Sequence, residues 1–129
     1  MSRTILIIED NAQNLYLTTF LLEKSGFDVV PARTGREGLA VIGRILPDLI
    51  ILDIQLPEMD GYAVARELRK NPALERVPIV AVTSYAMLGD KERALEAGCS
   101  GYIEKPIDPE TFKDEIERHL SSSQDLVGS

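Results

Sequence analysis

Four apolar residues, Leu49-Ile50-Ile51-Leu52, run without a break into a carboxylate, Asp53, and a turn built on Pro57 and Gly61 follows at once. Pro47-Asp48 bounds the run on its other side. A short continuous apolar run between turn residues fits a strand buried on both faces, as in a parallel sheet covered by helices. Asp53 is therefore carried from an apolar layer to its rim. A lone carboxylate there is costly unless it is paired, hydrogen-bonded or metal-bound. The rest of the chain has to supply its partners.

The pattern repeats along the chain. Ile5-Leu6-Ile7-Ile8 reads as a first buried strand and ends on Glu9-Asp10. After Asn11 a helical pattern begins, with Leu15, Phe20, Leu21 and Leu22 on one side, and Gly26 stops it. Phe27 to Val30 is a short second strand with Pro31 at its end. Gly35 to Ile45 is a second helix, weakened by Gly38 and Gly43. The third strand is Leu49 to Asp53. A third helix runs from Ala63 to Lys70 and ends at Asn71-Pro72. Pro78 to Thr83 is the fourth strand, and a fourth helix spans Leu88 to Ala97 before Gly98. Gly101-Tyr102-Ile103 is a brief fifth strand. Asp108 as cap and Pro109 as first residue open a fifth helix, whose inward stripe is Phe112, Ile116 and Leu120. Ser121 to Ser129 is expected to be a flexible tail. His119 is expected to be solvated.

Five strands alternating with five helices predict an α/β fold, a parallel sheet covered on both faces. The 129 residues make one domain with a core of about 4–120. Such sheets hold their sites at the C-terminal ends of the strands. Those ends carry Glu9-Asp10, Asp53, Thr83-Ser84 and, after the fifth strand, Lys105-Pro106. Three carboxylates, a hydroxyl and an amine then converge on one rim.

Carboxylates 4 Å apart repel by roughly 4 kcal/mol per pair at an effective dielectric near 20. A divalent cation removes that cost. The donors are hard oxygens with no His or Cys among them, which selects Mg2+, with Mn2+ as the alternative, over zinc. Magnesium held by a few carboxylates keeps open positions for phosphate oxygens. With Lys105 as a point charge and Thr83 as a donor, the set makes a phosphoryl site with Asp53 as acceptor.

Bulk properties narrow the partners. A net charge of −7 argues against binding to a nucleic-acid backbone. No apolar run approaches the ~18 residues of a membrane span. The single cysteine, Cys99, excludes an internal disulfide and fits a reducing compartment. Met1-Ser2-Arg3-Thr4 runs straight into a strand and leaves no room for a signal peptide. The expected location is cytoplasmic.

Four stretches together resemble the receiver domain of response regulators, the chemotaxis-receiver-like (CheY-like) family of two-component signalling. They are Ile8-Glu9-Asp10-Asn11, Leu52-Asp53-Ile54-Gln55-Leu56-Pro57-Glu58-Met59-Asp60-Gly61, Val82-Thr83-Ser84 and Glu104-Lys105-Pro106. The resemblance covers about Thr4 to Leu120 and implies a flavodoxin-like strand order 2-1-3-4-5. It implies that Asp53 takes a phosphoryl group from a phosphohistidine on a histidine kinase or histidine phosphotransferase. Asp10 would bind Mg2+, with Glu9 assisting and the backbone carbonyl of Gln55 as a further ligand. Thr83 and Lys105 would bind phosphoryl oxygens. The family pattern makes Lys105-Pro106 a cis peptide and Tyr102 the switch aromatic. It makes the fourth helix, fifth strand and fifth helix the surface for a downstream protein target. The donor would dock beside Gln13, Asn14, Leu17 and the Pro106-Ile107 loop. Gln55 and Tyr85, two residues beyond Asp53 and Thr83, should hang over the phosphoryl group, where Tyr85 can exclude attacking water.

The resemblance implies no enzyme beyond Mg2+-dependent self-phosphorylation and autodephosphorylation. An aspartyl-phosphate phosphatase of the haloacid-dehalogenase kind wants a second Asp two residues after the nucleophile, and Gln55 stands there. A nucleotide-binding flavodoxin-like domain wants a glycine-rich phosphate loop, and none occurs. An interaction module that has lost phosphorylation would not keep all five site residues. Single-domain receivers, phosphorelay shuttles and receivers excised from hybrid kinases would share these features. The Asp53-Ile54-Gln55-Leu56-Pro57 turn is most similar to the cell-division (DivK-like) kind.

Overall fold

The computed structural model describes residues 3–57, 59–84 and 88–128, with 122–128 as backbone alone. In chain order the elements are β1 (Thr4–Ile8), α1 (Ala12–Lys24), β2 (Asp28–Ala32), α2 (Gly35–Ile42), β3 (Leu49–Asp53), α3 (Gly61–Arg69), a 3-10 turn (Pro72–Leu74), β4 (Ile79–Thr83), α4 (Asp90–Glu96), β5 (Gly101–Glu104) and α5 (Phe112–Gly128). The strands form one parallel sheet in the order β2-β1-β3-β4-β5.

Successive strand residues point to opposite faces, and both faces are buried. Leu6, Ile8, Ile50, Leu52, Ile79 and Ala81 face one core with Val41 of α2, Val64 and Leu68 of α3 and Ala94 of α4. Ile5, Ile7, Leu49, Ile51, Val80 and Val82 face the other with Leu22 of α1 and Phe112, Ile116 and Leu120 of α5. This two-sided burial explains why β1, β3 and β4 read as unbroken apolar runs. α2 approaches β1 closely at Gly38, where a Cβ would collide with the Ile8 side chain. The glycine that weakens the helix locally is what lets it pack.

Chain direction across the sheet reverses between β1 and β3, the topological switch point where such sheets open a crevice. Ile8 lies opposite Leu52 and Asp53 opposite Val82, so the residues that follow β1, β3 and β4 share one rim. Backbone turns at that end are capped locally. Asn11 accepts from Asn14 N–H at 2.9 Å, and Thr34 accepts from Glu37 N–H at 3.0 Å. Gly26 and Gly98 adopt φ of +94° and +104° where α1 and α4 end.

Several elements differ from expectation. β2 runs on through Pro31, which an edge strand tolerates because one side of its ladder is unused. α2 stops at Ile42, so Ile45 and Leu46 lie beyond it, and Leu46 is exposed. α3 starts two residues early, at Gly61, because Asp60 caps it. Asp108 accepts from Glu110 N–H at 2.9 Å in a turn that precedes α5 rather than in its first residue. The α5 backbone stays helical through Gly128, so the segment expected as a tail continues the helix. Phe20, expected on the inward face of α1, is exposed, and Thr18 and Leu22 are the buried residues there. His119 is half-buried, its ring lying over Gly101 of β5. No helix among the described residues is long and apolar enough to cross a membrane.

Candidate functional site

Asp53 closes β3 and is only 4% exposed. Each of its oxygens has a donor. Oδ1 accepts from Gln55 N–H at 2.9 Å, and Oδ2 faces Lys105 Nζ at 3.4 Å. Lys105 follows β5 from across the sheet, and its main chain is held there by donation to Thr83 O at 2.7 Å. Its Nζ makes a shorter contact, 2.7 Å, to Oε1 of Glu9, which is 5% exposed. Glu9 Oε2 in turn accepts from Asn11 N–H at 3.3 Å. Burial, then the hydrogen bond shared with Asp53, pushes the Glu9 carboxyl up to about 7, and Lys105 opposes the rise.

Asp10 completes the acidic cluster. Glu9, Asp10 and Asp53 each offer one oxygen within 4.8 Å of the others, on a site whose donors are all hard oxygens. Three clustered carboxylates, two of them paired with one lysine, fit a divalent cation of the magnesium class. Asp10 is positioned through its backbone. Arg33, just past β2, donates to Asp10 O from Nη2 at 2.8 Å and from Nε at 3.2 Å. Sequence reasoning did not single out Arg33. Its only signal was a basic residue directly after the strand that pairs with β1.

The loop from β3 to α3 is held by Gly61, whose N–H donates to Ile54 O at 3.1 Å. A Cβ on Gly61 would fall on the backbone of Ile54 and on the carbonyl oxygens of Asp53 and Ile54. Gln55, expected over the phosphoryl position, reaches across to the loop after β4, where its Oε1 accepts from Ser84 N–H at 3.0 Å.

Thr83 is buried at the end of β4, one position past the partner of Asp53. Tyr102 sits on β5 opposite Ala81 and packs against the core shared by α2, α3 and α4. Its hydroxyl is buried and makes no hydrogen bond among the described residues. Burial and the nearby Asp90 push its ionisation up. The Lys105–Pro106 peptide is cis. Tyr85 lies outside the described residues. Cys99 is buried, with its thiol pushed up to about 11, which makes it an inert packing residue.

Geometry and comparison agree. A family model described as the response regulator receiver domain matches residues 5–117. The polar-differentiation response regulator DivK of Brucella ovis is 40% identical over 123 residues, covering 95% of this chain and all of that protein. A CheY-like response regulator receiver domain protein from Methanospirillum hungatei superposes with a TM-score of 0.91 at 32% identity, over 98% of this chain and 99% of that one. The receiver domain of a sensor histidine kinase from Pseudomonas aeruginosa, described with a magnesium ion coordinated in its active-site cleft, superposes with a TM-score of 0.86 at 32% identity, over 94% and 99%. By its acidic rim and by these likenesses, the chain belongs to the response regulator receiver domains of two-component signalling.

Proposed function

We propose that Asp53 is the phosphoacceptor and that its phosphorylation is the signal this domain passes on. A carboxylate oxygen of Asp53 attacks phosphorus and the P–N bond of a donor phosphohistidine breaks. The imidazole leaves with the bond's electron pair and takes a proton. Lys105 and Thr83 receive the phosphoryl oxygens, and Gln55 N–H, already on Asp53 Oδ1, holds the nucleophile in position. Glu9, Asp10, Asp53 and the backbone carbonyl of Gln55 would hold Mg2+, with Mn2+ as a substitute. The ion would neutralise charge on the transferring group. The observation that carries this reading is the single lysine shared by two buried carboxylates inside a three-carboxylate cluster.

The donor is a histidine kinase or a histidine phosphotransferase. Exposed Tyr16, Leu17 and Phe20 on α1, the helix that follows Glu9-Asp10 in the chain, suit a docking helix. Phosphorylation adds roughly one negative charge at Asp53. Drawing Thr83 toward it moves the loop ahead of α4, with Tyr102 as the reporting aromatic. The surface of α4, β5 and α5 then meets a downstream protein, in the cytoplasm where such donors present their phosphohistidines. Incubation with acetyl phosphate and Mg2+, read by intact mass, tests the reading. The protein gains one phosphoryl group and Asp53→Asn gains none. Equal labelling of both would overturn Asp53 as the acceptor.

A further inference from the structure

The three carboxylates of the acidic cluster are not held in the same way. Glu9 and Asp53 are each fixed through their side chains, by a main-chain N–H and by Lys105. The Asp10 carboxylate has no such partner among the described residues. Its main chain also falls between two hydrogen-bonded systems. Before it, Glu9 N–H closes the β1–β2 ladder on Ala32 O at 2.9 Å. After it, the bonding of α1 begins at Asn11, whose O accepts from Leu15 N–H at 3.0 Å. The Asp10 carbonyl accepts no main-chain N–H among the described residues. Arg33 serves it instead, with Nη2 at 2.8 Å and Nε at 3.2 Å on that one oxygen. Two donors fixed in one plane hold a carbonyl in angle as well as in distance.

Arg33 is itself anchored. Its N–H donates to Glu37 Oε2 at 3.2 Å, and Glu37 N–H donates to Thr34 Oγ1 at 3.0 Å, the capping of α2. Its side chain lines the hollow between α1 and β2 with Ala12, Tyr16 and Pro31. The first turn of α2 is thereby linked to the one carboxylate of the cluster that lacks a hold of its own.

We propose that Arg33 is a positioning residue that holds Asp10 for an octahedral ion and so sets the preference of the acidic site for Mg2+ over Ca2+. The inference rests on Glu9, Asp10 and Asp53 binding a divalent cation. Mg2+ demands near-ideal octahedral geometry at about 2.0–2.1 Å, whereas Ca2+ accepts irregular oxygen sets at about 2.3–2.6 Å. Loosening one carboxylate therefore costs Mg2+ more than Ca2+. Charge works the other way. The guanidinium repels either divalent ion, and its removal favours both alike. Positioning and charge thus predict opposite signs for Mg2+ affinity when Arg33 is replaced.

Arg33 is exposed, so its replacement leaves the core untouched. Arg33→Met keeps an unbranched stem in the hollow and loses the charge and both donors. Arg33→Lys keeps the charge and replaces the planar fork by one ammonium. Mg2+ and Ca2+ are titrated separately into metal-free protein at constant ionic strength, followed by the NMR amide shifts of residues 9–11. Urea midpoints in EDTA read any loss of folding apart from loss of metal. Arg33→Met should bind Mg2+ about tenfold more weakly, the low end for losing an outer-shell partner. Its loss toward Ca2+ should be smaller, so the ratio of the two Kd values moves toward Ca2+. Arg33→Lys should move the ratio in the same direction.

Unchanged or tighter Mg2+ binding in Arg33→Met would overturn the proposal and leave Arg33 as a charge alone. Equal losses for Mg2+ and Ca2+ would overturn it too, since a general loosening does not choose between ions. Wild-type protein that binds neither ion would overturn the cation reading itself, and this inference with it.

Discussion

Lys105 Nζ lies 2.7 Å from Oε1 of Glu9, a residue 96 positions earlier in the chain, and both side chains are about nine-tenths buried or more. The contact closes the sheet's rim from β1 to the loop after β5. It also supplies the positive charge that lets two buried carboxylates coexist. Lys105→Met should destabilise the metal-free protein by about 2 kcal/mol, within the range for a hydrogen bond to a charged group. The loss is capped because Glu9 can take up a proton. Urea unfolding in EDTA measures it, and an unchanged midpoint would show that the lysine is not supporting the cluster.

The acidic cluster predicts an inversion of stability with metal. Without a divalent ion, Asp10 adds repulsion to Glu9 and Asp53. Asp10→Asn should therefore melt higher than wild type in EDTA. With Mg2+ at one hundred times its Kd, wild type should gain about 2.7 kcal/mol from binding, worth several degrees or more for a domain of this size. The variant should gain far less, so that the order of melting reverses. Paired thermal scans in EDTA and Mg2+ test this. Parallel shifts in the two proteins would place the ion elsewhere.

How much of this was legible beforehand depended on what kind of group did the work. Asp53, Glu9 and Asp10 could be read because each is among the first polar residues after an apolar run, and in a parallel sheet those ends meet. β3 was bounded correctly for the same reason. α2 was read too long because Ile45 and Leu46 continue its apolar character after the helix has ended at Ile42. Hydrophobicity does not mark where backbone bonding stops. Phe20 was placed inward with Leu15, Leu21 and Leu22 by approximate helical spacing, yet the helix turns it to solvent beside Tyr16. Arg33 and the Gln55–Ser84 bond act on main-chain atoms of neighbouring loops. No spacing in the chain encodes such contacts, because they exist only once the loops lie side by side.

Gly61 should be intolerant of any side chain. A Cβ there would overlap backbone atoms of Ile54 and Asp53, which cannot rotate away as a side chain could. Gly61→Ala should cost about 1–3 kcal/mol, as overpacked sites do, and should shift the loop that carries Gln55. Mg2+ affinity should fall with it if the Gln55 carbonyl is a ligand. Calorimetric titration separates the two effects. A variant that is destabilised but binds Mg2+ normally would remove Gln55 from the ligand set while leaving the packing argument intact.

His119 gives the fold a pH dependence away from the acidic rim. Its ring covers Gly101 of β5 so closely that a Cβ on that glycine would fall on the imidazole. Burial holds its pKa below the usual histidine range, and Arg118 beside it pushes the same way while Glu115 opposes. In the unfolded chain the group titrates near about 6.5. Above that pH both states are neutral there, and stability is at its full value. As pH falls through that value the unfolded chain gains a proton that the folded one refuses, so stability drops until the lowered folded pKa is passed. Other groups titrate in the same interval, so the comparison is with His119→Gln, which keeps a polar side chain over Gly101 but cannot take a proton. Urea midpoints at pH 7.5 and 5.5 should fall further in wild type than in the variant. Equal falls would mean that His119 is solvated in the folded protein.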